Sequence, residues 1–277
     1  MVGDVIFSDW FPAQFSLGGE TVFAIGDVHG CGDELEALLG AIKVTSAEID
    51  GHMRLVFLGD LIDRGPRNID TLKLWAEPAS LRGVDQVERL MGNHEQLLLL
   101  AMSDTPHVQK ALAMWLGEAM GGGVVLDEMC AATSRSDTYP STELFRAALG
   151  EHVHQLFTTM LSHVEIGNAI FVHGGLDPSE DVARFLSRPW DAFTEARWAW
   201  VHGEFLQWQG GFGDRIVVHG HTPPHMHREL TGQDDPHALA YGRLGLDGGT
   251  TRTGIVTGAQ IETGRYRILR AGQTAVV

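Results

Sequence analysis

MRLVFLGDLIDRGP, residues 53–66, decides the fold. Its first half, Met53 to Leu58, is a short apolar run with the length and composition of a buried β-strand. The run stops at Gly59, and two carboxylates and a guanidinium follow at once: Asp60, Asp63 and Arg64. In an open α/β sheet, sites form beyond the carboxyl ends of the strands, which is where such a polar cluster falls. NIDTLKLWA at 68–76 then has apolar residues at helical spacing and predicts the crossover.

The same sentence of strand, glycine and polar cluster recurs on both sides. TVFAI at 21–25 runs into Gly26-Asp27-Val28-His29-Gly30, and DELEALLGAIK at 33–43 reads as a helix. VERLM at 87–91 runs into Gly92-Asn93-His94-Glu95, where NHEQLLLLAM opens a helix. AIFVH at 169–173 ends in His173-Gly174-Gly175, and RIVV at 215–218 is followed by His219-Gly220-His221-Thr222-Pro223. Strands alternating with helices predict parallel strands with helical crossovers, an α/β fold. From about 103 to 160 the patterns are helical, broken by GGG at 121–123 and SRSDTYPST at 134–142. This stretch reads as a helical cap inserted into one layered domain spanning 1–277. The short runs from 238 to 270, rich in Gly and Thr, read as antiparallel strands.

Acidic residues outnumber basic ones, 36 to 20, and the formal net charge is −16. That charge argues against a nucleic-acid or anionic-membrane partner. It also repels a phosphate substrate unless local cations reverse the field, and metal ions are the obvious candidates. Cys31 and Cys130 are too few for a disulfide scaffold, which suggests a reducing compartment. The first residues, MVGDVIFSDWFPAQF, lack the pattern of a signal peptide, and no apolar run approaches the roughly 20 residues that span a bilayer. The expectation is a cytoplasmic protein.

Each polar cluster has an ordinary reading when taken alone. Asp-x-His is commonly surface or capping chemistry, Gly-Asn-His-Glu can be a turn with an Asn cap, and a buried His usually belongs to a core. Together, at successive strand ends, they converge. Carboxylate, imidazole and amide oxygen suit manganese first, with iron or zinc as alternatives, and no thiolate joins them. Asp27 and His29 can chelate one ion, Asp60 can bridge, and Asn93, His173 and His221 can complete a second. Two divalent ions roughly 3.5–4 Å apart would activate a water and clamp a phosphoryl group.

These residues closely resemble the calcineurin-like metallophosphoesterase superfamily, and within it the bacterial and phage branch of the phosphoprotein (serine/threonine) phosphatases. The carriers are the successive patterns GDxHG, GDxxDRG, GNHE, His-Gly and Gly-His over residues 26–221. LGLDGGT at 244–250 is similar to a strand and turn near the end of such domains, and WLGEAMGGG at 115–123 loosely resembles a bacterial cap segment. The resemblance implies a four-layer α/β/β/α sandwich of two mixed sheets. It implies one metal on Asp27, His29 and Asp60, and another on Asp60, Asn93, His173 and His221. His94 would protonate the leaving oxygen, Asp63 would orient its imidazole, and Arg64 would bind phosphate oxygens. A hydroxide bridging the metals would attack in line.

Pro223 stands where many superfamily phosphodiesterases have a second His, which favours a phosphomonoesterase. Two departures bear on the substrate. Met91 replaces the Arg that usually precedes GNHE, and His202 falls where a phosphate-binding Arg is expected, with Arg197 facing elsewhere on a helix. A replaced Arg before GNHE also occurs in relatives that cleave dinucleoside polyphosphates, but those typically lack an acid at the position of Asp63. The leading expectation is therefore a phosphatase acting on a phosphorylated protein or a small phosphomonoester. A dinucleoside polyphosphate hydrolase is the alternative, and a non-catalytic metal-binding scaffold the third reading. His219 reads as structural, and His225 and His227 as solvated. Trp198, Trp200, Phe205 and Trp208 read as one apolar helix stripe.

Overall fold

The computed structural model describes residues 5–78 and 83–272. In chain order it runs β1 (Ile6–Phe7), β2 (Phe11–Pro12), β3 (Thr21–Ile25), α1 (Gly32–Ser46), β4 (Met53–Phe57), α2 (Asn68–Ala76), β5 (Gln86–Arg89) and α3 (Asn93–Ala101). Four helices follow: α4 (Val108–Trp115), α5 (Gly123–Thr133), α6 (Thr142–Leu149) and α7 (Glu151–Thr158). Then come β6 (His163–Ile166), β7 (Ala169–Val172), α8 (Val182–Leu186), two 3₁₀ turns at Trp190–Glu195 and Arg197–Ala199, and α9 (Gly203–Leu206). The chain continues with β8 (Ile216–His219), α10 (Pro224–Thr231), β9 (Arg243–Gly245), α11 (Thr250–Thr253), β10 (Ile255–Glu262) and β11 (Arg265–Gly272).

Two mixed sheets result. The first has the order β1-β11-β10-β3-β4-β5, with β2 also on β11. Its strands β3, β4 and β5 are parallel, while β10 and β11 pair antiparallel with each other and β10 pairs antiparallel with β3. The second has the order β6-β7-β8-β9, parallel from β7 to β9.

Side-chain alternation explains why the sheets stack. Along β3 and β4, Phe23, Ile25, Leu55 and Phe57 join the core under the helices, with Leu35, Leu38, Leu72 and Trp75. Their neighbours Val22, Ala24 and Val56, with Leu58 just beyond β4, join a separate core with Phe171, Val218 and Leu244 of the second sheet. Period-two alternation thus gives each strand a helix face and a sheet face, both apolar. This is the mixed α/β architecture the resemblance implied.

Three expectations are corrected. The stretch from 238 to 270 is not all antiparallel: β9 lies parallel to β8 in the second sheet, and only β10 and β11 form the hairpin. The four aromatics from Trp198 to Trp208 share no helix. Trp198 sits on a 3₁₀ turn and Phe205 on the short α9, while Trp200 and Trp208 fall outside both, because the non-helical backbones of Trp200 (φ −126°, ψ −20°) and His202 (φ −144°, ψ −63°) interrupt the helix between them. His227 is 5% exposed rather than solvated, since α10 turns it inward and its Nδ1 lies 3.3 Å from the Thr231 hydroxyl. Among the described residues, no helix is long and apolar enough to cross a membrane.

Candidate active site

The polar clusters of the sequence meet at the carboxyl ends of β3, β4, β5, β7 and β8. Asp27, His29, Asp60, Asp63, Asn93, His94 and His173 are all buried. Two of the flanking glycines are there for close approach. A Cβ on Gly92 would lie 2.1 Å from Asp60 Oδ1, and one on Gly220 would lie 2.2 Å from Asp27 Oδ1. No other residue leaves room for those carboxylates.

Asp60 is the centre. Its Oδ1 lies 3.3 Å from His173 Nε2, and its Oδ2 lies 3.8 Å from both His29 Nε2 and His94 Nε2. Asn93 Oδ1 lies 3.1 Å from His173 Nε2 and 3.0 Å from His221 Nδ1. Two groups of donor atoms emerge, each with its atoms within 4.8 Å of one another: His29, Asp60 and His94, and Asp60, His173 and His221. Asp60 belongs to both, as a bridging carboxylate must. Asp27, expected with His29, is outside the first group. Its oxygens accept the His221 backbone N–H at 3.0 and 3.1 Å, beside the second.

Electrostatics fit the same picture. Burial pushes Asp27 well above the carboxylate range, and Asp247 and Asp60 push it further. Burial raises Asp247 to about 6, with Asp60 adding to it. Burial also works against Asp60, but His173 and His94 hold it well below the ordinary range. A crowd of buried carboxylates of this kind is relieved by a cation. Burial holds His29 at about 3, His94 at about 4 and His221 at about 3, so these imidazoles are neutral and suited to ligation. His173 goes the other way: burial opposes its charge, yet Asp60 raises it to about 9. It would give up that proton to a metal.

The second-layer contacts orient the donors. His173 Nδ1 lies 3.0 Å from the Leu58 carbonyl, and His29 Nδ1 lies 2.9 Å from that of Ile62. Glu95 accepts the backbone N–H groups of Asp60 and Leu61 at 2.8 Å and that of Gly92 at 3.0 Å. His94 Nδ1 lies 2.6 Å from Asp63 Oδ2, so its Nε2 is turned toward the carboxylates. The Trp115 indole N–H donates to both Asp63 oxygens, at 3.1 and 3.0 Å.

A cleft of about 490 Å³ opens over this cluster. His29, Asp60, Arg64, Asn93, His94 and His221 line its floor, and Met120, Trp200, His202, Asp247 and Arg252 line its walls. Arg64 is exposed, with its guanidinium 3.1 Å from His29 Nε2 and donating to the Ala119 carbonyl at 2.9 Å. His202 reaches the cleft, its ring 5.8 Å from that of His221. Arg197 does not: it is committed to Asp177 and Glu204. Met91 is fully buried in the core. His219 is buried too, with Nδ1 3.0 Å from the Gly220 carbonyl, and His225 is an exposed residue on the cleft wall. Sequence reading did not single out Asp247, Glu95, Trp115 or Arg252. Glu95, Asp247 and Trp115 sat inside quoted motifs, so their signal was in view; Arg252 carries none.

The chain is similar to known proteins in sequence and in fold. A family model described as calcineurin-like phosphoesterase matches residues 20–248. A protein of Neisseria gonorrhoeae (strain NCCP11945) named bis(5'-nucleosyl)-tetraphosphatase, symmetrical, is 39% identical over 175 residues, 63% of this chain and 50% of that protein. One of the same name from Janthinobacterium sp. (strain Marseille) is 30% identical over 190 residues, 68% of this chain and 55% of that protein. The chain thus spans about half the length of these curated relatives. Among solved structures, a putative diadenosine tetraphosphatase matches with a TM-score of 0.51 at 22% identity, covering 93% of this chain and 95% of that one. A cold-active protein-tyrosine phosphatase of a psychrophile Shewanella matches with a TM-score of 0.53 at 19% identity, covering 94% and 82%. At these identities the likeness to the solved structures is one of fold.

Proposed function

The chain belongs to the calcineurin-like phosphoesterase family; from that premise we propose that it is a phosphoric ester hydrolase that works with two divalent metal ions, manganese first, and that its substrate is a dinucleoside polyphosphate. The observation that carries the metal reading is Asp60, shared by both groups of donor atoms. Asp27, His29 and Asp60 would hold one ion, and Asp60, Asn93, His173 and His221 the other. Bound there, the ions supply Lewis acidity and a water acidic enough to attack phosphorus near neutral pH.

The chain's own residues do the rest. Arg64 receives the oxygens of the reacting phosphoryl group as a planar fork. Arg252, which also lines the cleft, has no ion pair or side-chain hydrogen bond among the described residues, and it would offer a second positive charge to the next phosphate. Two arginines in one cleft of a chain with net charge −16 favour a polyanion over a single phosphate. The names of the curated relatives favour the same substrate class, and together they reverse the order of readings drawn from the motifs alone.

One observation favours the second reading, a phosphomonoester such as phosphoserine, phosphothreonine or a small ester. A leaving phosphate, with a pKa of about 6, needs little protonation. A leaving alkoxide needs a full proton. The buried His94–Asp63 pair, 2.6 Å apart, is built to deliver one.

The test uses metal-depleted protein refilled with manganese. Nucleoside diphosphate release from a symmetrical dinucleoside tetraphosphate is measured beside phosphate release from an aryl phosphate and a phosphopeptide. The polyphosphate should give the highest kcat/KM. Arg252→Ala should lower that value about tenfold, the scale of one lost charge-assisted contact, and leave the monoester unaffected. A phosphopeptide preferred over the polyphosphate, with Arg252→Ala neutral on both, would install the second reading.

A further inference from the structure

We propose that the helical segment from Trp115 to Glu128 is a positioning device for the proton-donating pair, and that Trp115 is the residue that aims Asp63 at His94. This rests on His94 acting as proton donor to the leaving oxygen.

Asp63 and Arg64 lie on the loop after β4, and both have left-handed backbones, with φ of 75° and 68°. Such a backbone is strained and persists only where its surroundings over-determine it. The surroundings come from the inserted helices. The indole N–H of Trp115, the last residue of α4, donates to both Asp63 oxygens. The Gly121 carbonyl accepts the Arg64 backbone N–H at 3.4 Å, and the Ala119 carbonyl accepts from its guanidinium at 2.9 Å. Glu128, on α5, accepts from the Asn68 side chain at 2.7 Å, and Asn68 in turn accepts the Asp63 backbone N–H at 2.8 Å.

The chemistry of the indole suits the task. It donates one proton, accepts none and does not titrate, so it fixes the carboxylate without competing for the proton shared with His94. Asp63 and Trp115 are both fully buried, so no water substitutes for the contact at either end. Gly122 closes the indole in from behind: a Cβ there would lie 2.2 Å from Trp115 Cε2. The bulk of the tryptophan fills core, as any buried Trp does. Its nitrogen placed between both Asp63 oxygens is what core packing alone does not require.

Trp115→Phe keeps most of the ring and removes the donor. It is compared with the natural chain on aryl phosphates whose leaving phenols run from 4-nitrophenol to phenol. Proton donation contributes about 10²–10⁴-fold where the leaving oxygen is basic. The variant should therefore lose kcat about 10–30-fold on phenyl phosphate and less than about threefold on the nitrophenyl ester, with KM little changed. A merely structural role would lower all substrates equally. A second readout needs no turnover. In metal-free ¹⁵N-labelled protein, the indole resonance that disappears in Trp115→Phe should move in Asp63→Asn, while the other indole signals stay. Equal losses across the series, or a Trp115 resonance unmoved by Asp63→Asn, would overturn the proposal. Failure of the proton-donor premise looks different: the natural chain would not hydrolyse these monoesters, a result the polyphosphate reading survives, and the indole test would still decide the contact.

Discussion

The two sheets hold their functional residues by different means. In the first sheet, the loops after β4 and β5 are braced by buried side chains: Glu95 under Asp60 and Gly92, Asn68 and Trp115 around Asp63. In the second, main chain does more of the work. The Gly220 N–H donates to the His173 carbonyl at 2.9 Å, the Leu246 N–H to that of His219 at 2.7 Å, and the Gly174 N–H to that of Trp198 at 2.8 Å. The first sheet presents Asp60, the His94–Asp63 pair and Arg64. The second presents His173, His221 and Asp247. Main chain suffices where a single imidazole is held at a strand end. The consecutive left-handed residues Asp63 and Arg64 are held by side-chain braces as well.

The largest test of this contrast is Asp60→Asn. An amide cannot serve as an anionic bridge, so both donor groups fail together. Turnover should fall by about 10³-fold or more, and metal analysis should find fewer than two ions per chain. Retention of both metals would remove Asp60 from the centre of the first sheet's role. Next is Glu95→Gln. The Gln amide has one acceptor oxygen for three backbone N–H groups, and its NH₂ must face at least one of them. The cost should be about 1–3 kcal/mol in denaturant unfolding. A lighter brace of the same sheet is Thr250, whose hydroxyl lies 2.8 Å from the Asp27 carbonyl and 3.0 Å from that of Ile255; Thr250→Ala should cost only about 1 kcal/mol. Equal costs would show that the carboxylate holding three backbone N–H groups does no more than a single hydroxyl.

A conditional effect, absent at neutral pH, belongs to the second sheet. Burial lowers His237 from 6.5 to about 4, while its Nδ1 sits 2.8 Å from the Gly245 carbonyl. Below pH 6.5 the unfolded chain binds a proton that the folded chain refuses until about pH 4, so this contribution is full above 6.5 and lost as pH falls. Between pH 7.5 and 5 it should amount to about 2 kcal/mol, seen as a smaller acid destabilisation in His237→Gln. An identical pH dependence in both proteins would show that His237 charges freely in the fold.

What the sequence made legible divides along a related line. Asp27, Asp60, Asn93, His173 and His221 were readable because each directly follows an apolar strand, and that signal is local. The parallel order of β3, β4 and β5 was readable for the same reason. Trp115 opens the quoted segment WLGEAMGGG, but its contact was not readable, because its partner Asp63 is distant in the chain. Arg197 and His202 were assigned from a helical spacing that the backbones of Trp200 and His202 break. His227 looked solvated because its cover comes from the packing around α10, which its own neighbours do not disclose.

His29, Asp60, Asp63, Arg64 and His221 are left-handed without being glycine. Glycine at such a position relieves strain, and at Asp63 it would also remove a carboxylate that burial pushes well above its usual range. Variants of this chain selected for heat resistance alone should therefore accumulate glycine at 63 and 64 and lose activity as they gain melting temperature. Directed evolution on this scaffold needs turnover in every round, because at these positions the most durable sequence and the working sequence are different molecules.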